Sequence, residues 1–271
     1  MPTYKLLAVV CLSLGVATAQ FKTDSCVSAT SGVIPPASVG HLCDPQTSSL
    51  QRLERELTTE PKMVMKPRTA SVSYHQLTHE VPGKARKAYL AAERSKANGE
   101  LTKAINFYKK ALEFDPRYLE AWNNLGSAQI LANDFSSAQT SFEKAYALDP
   151  TAHPVLTNLA FLLLRRNRPA EAESFARRAV QADPLAPRGL YVLGVSLAGQ
   201  NKETEEAIRL LEQSCDTVGR AHFALAPLLT QSNRLREAAD HLKKYLALPL
   251  PPDRDIAQEW LSQVEAELRR R

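Results

Sequence analysis

The sequence predicts an all-α protein built as a solenoid of helical repeats, because one pattern recurs from about residue 85 to residue 252. Three Asp-Pro pairs are spaced by 34 residues, and they end at Pro116, Pro150 and Pro184. Small residues recur in the same phase, at Ala104, Ala138 and Ala172 and at Ala111, Ala145 and Ala179. A fixed period of this size is typical of stacked supersecondary units, which favour a binding surface over a pocket for chemistry.

The composition is that of an ordinary globular protein with a mild positive charge. The chain has 271 residues, of which 44% are hydrophobic, and a formal net charge of +5. Basic and acidic residues alternate along the helical segments, and the one basic block is residues 269–271. Because a nucleic-acid-binding protein concentrates positive charge on one face, we expect no nucleic-acid partner.

The first 19 residues have the pattern of a secretory signal peptide. Lys5 precedes an apolar run over residues 6–17, and residues 17–19 read Ala-Thr-Ala, a small-x-small cleavage pattern. An uncleaved membrane anchor is the alternative, but a run of about 12 residues is too short to span a bilayer. We therefore predict cleavage before Gln20, no stable membrane insertion, and a periplasmic or secreted protein.

Residues 20–81 are predicted to form a mostly irregular linker segment, since they are rich in Ser, Thr, Pro and Gly. Cys26 and Cys43 lie 17 residues apart in this segment. In an oxidising compartment they are expected to form a disulfide, and two free thiols are the alternative. Residues 70–77 alternate between apolar and polar side chains, which predicts one short strand in need of a partner strand.

The period at residues 119–152 indicates how one unit is built from two helices. Gly126 on the first helix and Ala138 on the second are small, which indicates that the helices cross closely there. The Asn-Asp pair at residues 133–134 supplies the turn and the N-cap of the second helix. Pro150 then ends the unit, because the residue before a proline avoids the helical region.

These residues carry a resemblance to a known family. The tetratricopeptide repeat signature is matched by Trp122, Leu125, Gly126, Ala138, Phe142, Ala145 and Pro150. The other periods match less fully, and the array at 82–252 divides into repeats at 85–118, 119–152, 153–186, 187–218 and 219–252. The resemblance implies a right-handed α-solenoid of helix-turn-helix units.

The last segment, residues 253–271, is predicted to be a helix that caps the array. Its apolar side chains fall on one side, at Ile256, Trp260, Leu261, Val264 and Leu268. A solenoid needs a terminal element to cover its last repeat, and we expect Trp260 to pack into the fifth repeat. An amphipathic helix that binds a partner is the alternative.

Residues with the spacing of a catalytic or metal site are absent from the sequence. His75 and His79 are four residues apart, but no cysteine or acid completes a zinc site with them, and the other histidines are scattered. Cys215, near a helix end, is expected to be a buried small hydrophobe. No glycine-rich phosphate loop occurs. We therefore predict a non-enzymatic protein with no metal and no cofactor.

The resemblance implies that the first helix of each repeat lines a concave groove. The positions expected to point into it, and predicted here to bind a protein or peptide segment, are Tyr89, Asn123, Ser127, Phe161, Tyr191 and Phe223. Aromatic side chains give large contact areas at low entropic cost. The alternative is that the chain itself covers these residues, for example with residues 44–80.

One known use of such grooves is disfavoured. Related repeats that grip the C-terminal carboxylate of chaperones resemble one another in a clamp of basic and asparagine side chains. This chain has Tyr89, Glu93 and Asn158 where that clamp has lysine, asparagine and arginine, and it matches only at Asn124. The sequence thus favours an exported scaffold or adaptor for another protein. The alternative is a structural subunit of an envelope or secretion assembly with a self-filled groove, in contact with partners through its N-terminal segment or convex face.

Overall fold

The computed structural model describes residues 79–249, 251 and 253–270, and in that part of the chain the secondary structure is helical throughout. The predicted signal peptide, the disulfide and the strand at residues 70–77 lie outside the described residues. The helices are α1 Gly83–Ala97, α2 Leu101–Phe114, α3 Leu119–Leu131, α4 Phe135–Leu148, α5 His153–Arg165, α6 Pro169–Ala182, α7 Pro187–Gly199, α8 Thr204–Ser214, α9 Arg220–Gln231, α10 Leu235–Leu246 and α11 Arg254–Arg270.

The helices form five helix-turn-helix pairs, from α1/α2 to α9/α10, followed by the single helix α11. Each helix contacts the next one along the chain. In addition the first helices of successive pairs touch one another, as α3 with α5, α5 with α7, and α7 with α9. This row of first helices is the inner layer of a solenoid. The predicted all-α solenoid with a C-terminal capping helix is confirmed.

Every turn inside a pair contains a residue with a positive φ angle. These residues are Gly99, Asn133, Asn167, Asn201 and Asn233, with φ between 53° and 78°, and the turn of the fourth pair has a second one, Glu203, at 46°. Glycine and asparagine tolerate this left-handed conformation best. In the second pair the N–H of Asp134 then donates to the C=O of Gln129 at 2.8 Å, which closes the end of α3 in a Schellman motif. The carboxylate of Asp134 also caps α4, since it accepts from the N–H of Ser137 at 3.0 Å.

The recurrent Asp-Pro pairs form the turns between the repeats. The Asp115 carboxylate accepts from the N–H two residues later at 3.0 Å, and those of Asp149 and Asp183 do the same at 2.9 and 3.1 Å. These are Asx turns, in which the side chain replaces a backbone acceptor while proline keeps the preceding residue extended. The 34-residue spacing of the Asp-Pro pairs thus reflects one turn geometry that recurs between the repeats.

The two helices of a repeat cross at positions where only a small residue fits. A Cβ atom on Gly126 would lie 2.6 Å from the Phe142 ring, and one on Gly194 would lie 2.8 Å from Leu211. The alanines at the equivalent positions of the second helices are fully buried: Ala104, Ala138, Ala172, Ala207 and Ala238. The close crossing predicted from Gly126 and Ala138 is confirmed.

Helix α11 covers the end of the array. Its apolar side chains Ile256, Trp260, Leu261 and Leu268 pack against the main core, and Val264 is part of it. The Trp260 ring meets Phe223 of the fifth repeat edge-on, with 6.0 Å between the ring centroids. Among the described helices, none is both long enough and apolar enough to cross a lipid bilayer.

Replacing Gly126 by alanine should destabilise the protein. The added methyl group gains up to about 1 kcal/mol in helix propensity, but the overpacking against Phe142 costs about 1–3 kcal/mol and should dominate. Gly83→Ala is the matched control, because a Cβ there meets no atom within 4 Å. Urea denaturation should show a lower midpoint for Gly126→Ala alone, and equal midpoints for the two variants would contradict the close crossing.

Candidate functional site

The residues predicted to line the groove all lie on the inner row of first helices, but they divide into two halves. Tyr89 on α1 is half-buried, whereas Asn123 and Ser127 on α3 are buried within a hydrogen-bonded network. Phe161 on α5 is 4% exposed, and Tyr191 on α7 and Phe223 on α9 are 0% exposed. The inner face is therefore polar toward its N-terminal end and closed toward its C-terminal end.

A ladder of polar side chains runs along the N-terminal half. The Asn124 amide donates to Tyr89 Oη at 2.8 Å and to Glu93 Oε1 at 2.9 Å, so it joins α3 to α1. Asn123 Nδ2 donates to Asn124 Oδ1 at 3.2 Å. Each amide carries both donors and acceptors, so the chain of bonds continues from one residue to the next.

The ladder continues onto the next two repeats. Asn158 Nδ2 on α5 donates to Asn123 Oδ1 at 2.8 Å and to Ser127 Oγ at 3.3 Å. Arg188 of α7 donates to Asn158 Oδ1 at 3.2 Å. Side chains from four successive first helices are thus connected, and we call the set of Tyr89, Glu93, Asn123, Asn124, Ser127, Asn158 and Arg188 the polar ladder.

The N-terminal end of the polar ladder is anchored on a buried tyrosine of the outer layer. The Tyr108 hydroxyl donates to the Glu93 carboxylate, which also accepts from Lys96 Nζ at 3.3 Å. Burial, followed by the negative charge of Glu93, raises the pKa of Tyr108 well above its ordinary value. The phenol therefore stays protonated and keeps Glu93 facing the inner side of the repeat.

The C-terminal half of the inner face is filled by the chain's own aromatic residues. Phe223 stacks on Tyr245 of α10 at 4.9 Å between centroids and meets Trp260 of α11. Burial raises the pKa of Tyr191 to about 12, and its hydroxyl has no hydrogen-bond partner among the described residues. In this conformation neither Tyr191 nor Phe223 offers surface to a partner from solvent.

An ion pair holds the capping helix in this position. Arg220 at the start of α9 donates to Asp253 Oδ2 at 2.6 Å, and both side chains are largely buried. Tyr245 Oη donates to the same Asp253 oxygen at 3.4 Å. The residue that precedes α11 is thereby tied to the fifth repeat.

The groove assigned to the six predicted site residues stays a prediction, since the structure contains no partner. The structure does bring two of these residues, Asn123 and Ser127, into hydrogen-bond contact with Asn158. The tertiary structure adds Asn124 and Asn158 as equivalent positions, 34 residues apart, on neighbouring helices. Their common phase in the repeat was the signal that could have identified them as a pair.

Spacing along the chain also fails to detect a cluster of possible metal ligands. Cys215, His222 and His241 come from three different helices or helix ends, and their ligand atoms lie within 4.8 Å of one another in the part of the chain that the structure describes. Residues 19 apart, such as the two histidines, match no linear motif. Cys215 is buried as predicted, but it lies beside two imidazoles rather than in a purely apolar environment.

Comparison with known proteins identifies the repeats. Family models described as "TPR repeat" and "Tetratricopeptide repeat" match residues 96–132 and 130–194. The chain therefore contains tetratricopeptide repeats, as its sequence pattern predicts. A search of curated protein sequences finds no match.

Solved structures resemble the fold at low sequence identity. PilW, described as a type IV pilus biogenesis factor, is 22% identical with a TM-score of 0.57, over 69% of this chain and 93% of PilW. MamA from Desulfovibrio magneticus RS-1, residues 41 to the end, is 21% identical with a TM-score of 0.51, over 62% and 96%. The tetratricopeptide protein TTC0263 of Thermus thermophilus is 18% identical with a TM-score of 0.54, over 67% and 99%. These similarities show the fold alone.

Replacing Phe223 by alanine should affect stability, because the ring is fully buried between α10 and α11. Loss of a buried phenylalanine typically costs about 3–5 kcal/mol. Phe114→Ala is the control, since that ring is 42% exposed and its loss should cost about 0.5 kcal/mol. Chemical denaturation measures both values, and a Phe223→Ala variant as stable as the control would show that the C-terminal half of the inner face is open.

Proposed function

We propose that this protein is a non-enzymatic scaffold that binds an extended segment of another protein along the polar ladder of its inner face. The observation that carries the proposal is the row of asparagine amides on successive first helices, Asn124 and Asn158 above all. The tetratricopeptide fold is typically a protein-interaction scaffold, which supports the same class of function.

Amide side chains suit this task because of their hydrogen-bonding chemistry. An extended peptide presents alternating N–H and C=O groups, and each asparagine offers two donors and two acceptor sites. Asn124, Tyr89, Glu93 and Arg188 are only partly buried, so a peptide backbone can reach them. Asn123 and Asn158 lie beneath and fix their orientation through the bonds described above. Recognition would depend mainly on hydrogen bonds to the peptide backbone, and Tyr89 and Arg188 would add preferences for particular peptide side chains.

The aromatic residues of the C-terminal half take a different role in this proposal. These three residues, Phe161, Tyr191 and Phe223, are buried. They therefore stabilise the solenoid and its contact with α11 rather than contact the partner. The binding surface is accordingly restricted to the first four repeats. This restriction narrows the groove predicted from the sequence to Tyr89, Asn123, Ser127 and their neighbours.

The proposal predicts that Asn124→Ala weakens peptide binding. Peptides would be selected from a displayed random library against the full chain, and their affinities measured by isothermal titration calorimetry. Loss of one amide should weaken binding about tenfold, equivalent to about 1.4 kcal/mol. Asn106→Ala is the matched control, because Asn106 is exposed on the outer helix α2 and should leave affinity unchanged. Equal affinities for the two variants would rule out the polar ladder as the site.

A second candidate function is a structural subunit of an envelope or secretion assembly with a self-filled inner face. The burial of Phe161, Tyr191 and Phe223 favours it, because these positions are closed to an external partner. Contacts would then run through the N-terminal segment or the convex face. Failure of the library to yield any peptide that depends on Asn124 would favour this candidate over the first.

We also propose that the protein is exported, and that its partner is an exported or envelope protein. The pattern of residues 1–19 supports this. Expression of the full gene should give a mature chain that starts at Gln20, as measured by intact mass and N-terminal sequencing of the exported fraction. A chain that retains residues 1–19 and stays inside the cell would contradict export.

A further inference from the structure

Three potential metal ligands converge where the fourth repeat meets the fifth. Cys215 is the residue that ends α8, His222 lies in the first turn of α9, and His241 lies on α10. One ligand atom from each lies within 4.8 Å of the other two. The Nδ1 atoms of the two histidines are 2.8 Å apart, and their ring centroids are separated by 5.0 Å.

The contact between the two imidazoles requires one unprotonated ring nitrogen. At 2.8 Å one Nδ1 must donate to the other, so the accepting Nδ1 carries no proton and at least one of the rings is neutral. Neutral imidazole with a free nitrogen is the common metal ligand of proteins.

The spacing of the ligand atoms is close to that of a tetrahedral zinc site. With bonds of about 2.0 Å to nitrogen and about 2.3 Å to sulfur, ligand atoms in such a site are about 3.3–3.6 Å apart. If both histidines bind through Nδ1, that pair has to open from 2.8 Å by about 0.5 Å, and a pair at the 4.8 Å limit has to close by about 1.2–1.5 Å. Both changes involve imidazole side chains that are only half-buried.

The charges around the cluster favour a cation. Asp216 and Glu212 act on the cysteine, and Asp216 also acts on the first histidine. Glu212, Glu237 and Asp240 act on the second histidine. Lys244, which is exposed, opposes these charges, and Arg234 pairs with Glu237 at 2.6 Å and with Glu212 at 3.5 Å. Four carboxylates against two cationic groups leave an excess of negative charge around the cluster.

We propose that Cys215, His222 and His241 bind a divalent transition-metal ion of the zinc type. One thiolate and two imidazoles form a borderline-soft ligand set, which suits Zn²⁺ rather than Mg²⁺ or Ca²⁺. The fourth position is open to water or to an external ligand, because both histidine side chains are only half-buried. On binding, the ion replaces the thiol proton of Cys215, and that proton passes to solvent.

The ion would link the fourth and fifth repeats, at a junction formed by the short helices α8 and α9. Cys215 belongs to the fourth repeat, whereas both histidines belong to the fifth. The turn residues Asn201 and Asn233 are 32 residues apart instead of 34, so the fourth repeat is two residues shorter than its predecessors. A metal bound across this junction would fix the fifth repeat and α11 relative to the rest of the solenoid.

The test is metal titration of the full chain after removal of metal with a chelator. Zn²⁺ binding is measured by calorimetry, and Co²⁺ is used as the spectroscopic probe because a thiolate ligand gives a charge-transfer band in the near ultraviolet. We expect one ion per chain and a higher melting temperature with Zn²⁺. Cys215→Ser should abolish the charge-transfer band. A change in a residue that only orients a metal ligand typically weakens metal binding by about 10- to 100-fold. His241→Gln should weaken Zn²⁺ binding by more than about 100-fold, because His241 is itself a ligand.

Two control variants make the result specific. Cys26→Ser with Cys43→Ser removes the two cysteines of the segment at residues 20–81, and His153→Gln changes a part-exposed histidine on α5. Both variants should bind Zn²⁺ as the unaltered chain does. Circular dichroism without metal checks that each variant folds, and the half-buried His241→Gln provides the test if Cys215→Ser does not fold. The proposal is overturned if the unaltered chain takes up no stoichiometric Zn²⁺. It is equally overturned if binding survives the loss of Cys215 and His241, or depends on the cysteines of the control.

Discussion

The close crossing of the two helices in each repeat is the contact on which the rest of the structure depends. Gly126 lies against the Phe142 ring and Gly194 against Leu211, with no space for a methyl group in between. Because interiors pack at near-crystalline density, such a contact fixes the angle between the helices and therefore the position of the next repeat. The inner row of first helices, and every side chain displayed on it, takes its place from this repeated contact.

The inner face combines two kinds of stabilisation that have opposite consequences for binding. In the second and third repeats, the buried side chains of Asn123 and Asn158 bond to one another, and a polar group buried in this way must keep a partner. Such a network can exchange one of its bonds for a bond to a peptide at little net cost. In the last repeats, aromatic burial by α10 and α11 is favourable only while the rings stay covered. The inner layer can thus accept hydrogen bonds from a peptide toward its N-terminal end, whereas its aromatic side chains toward the C-terminal end are covered by the chain itself.

The sequence predicts the repeat architecture well because its signals are local. The Asp-Pro pairs encode Asx turns, and the asparagines and Gly99 encode the left-handed turn residue in each pair. Both act within a few residues, so their phase can be counted along the chain. The candidate site is less predictable. The repeat phase places Tyr89, Asn123, Ser127, Phe161, Tyr191 and Phe223 on first helices, but it does not determine which of them another helix covers.

The sequence by itself determined the helical period, the turns, the small residues at the helix crossings and the apolar stripe of the capping helix. These depend on backbone preferences and on which side chains share a helix face, and both follow from spacing. Only the tertiary structure decided that Trp260 and Tyr245 cover Phe223, that Asn158 reaches Asn123, and that Cys215 lies beside His222 and His241. These contacts join separate helices, and their distances depend on how each repeat is rotated against the next. That rotation is set by the packing of many side chains together, and it leaves no mark at a fixed interval in the sequence.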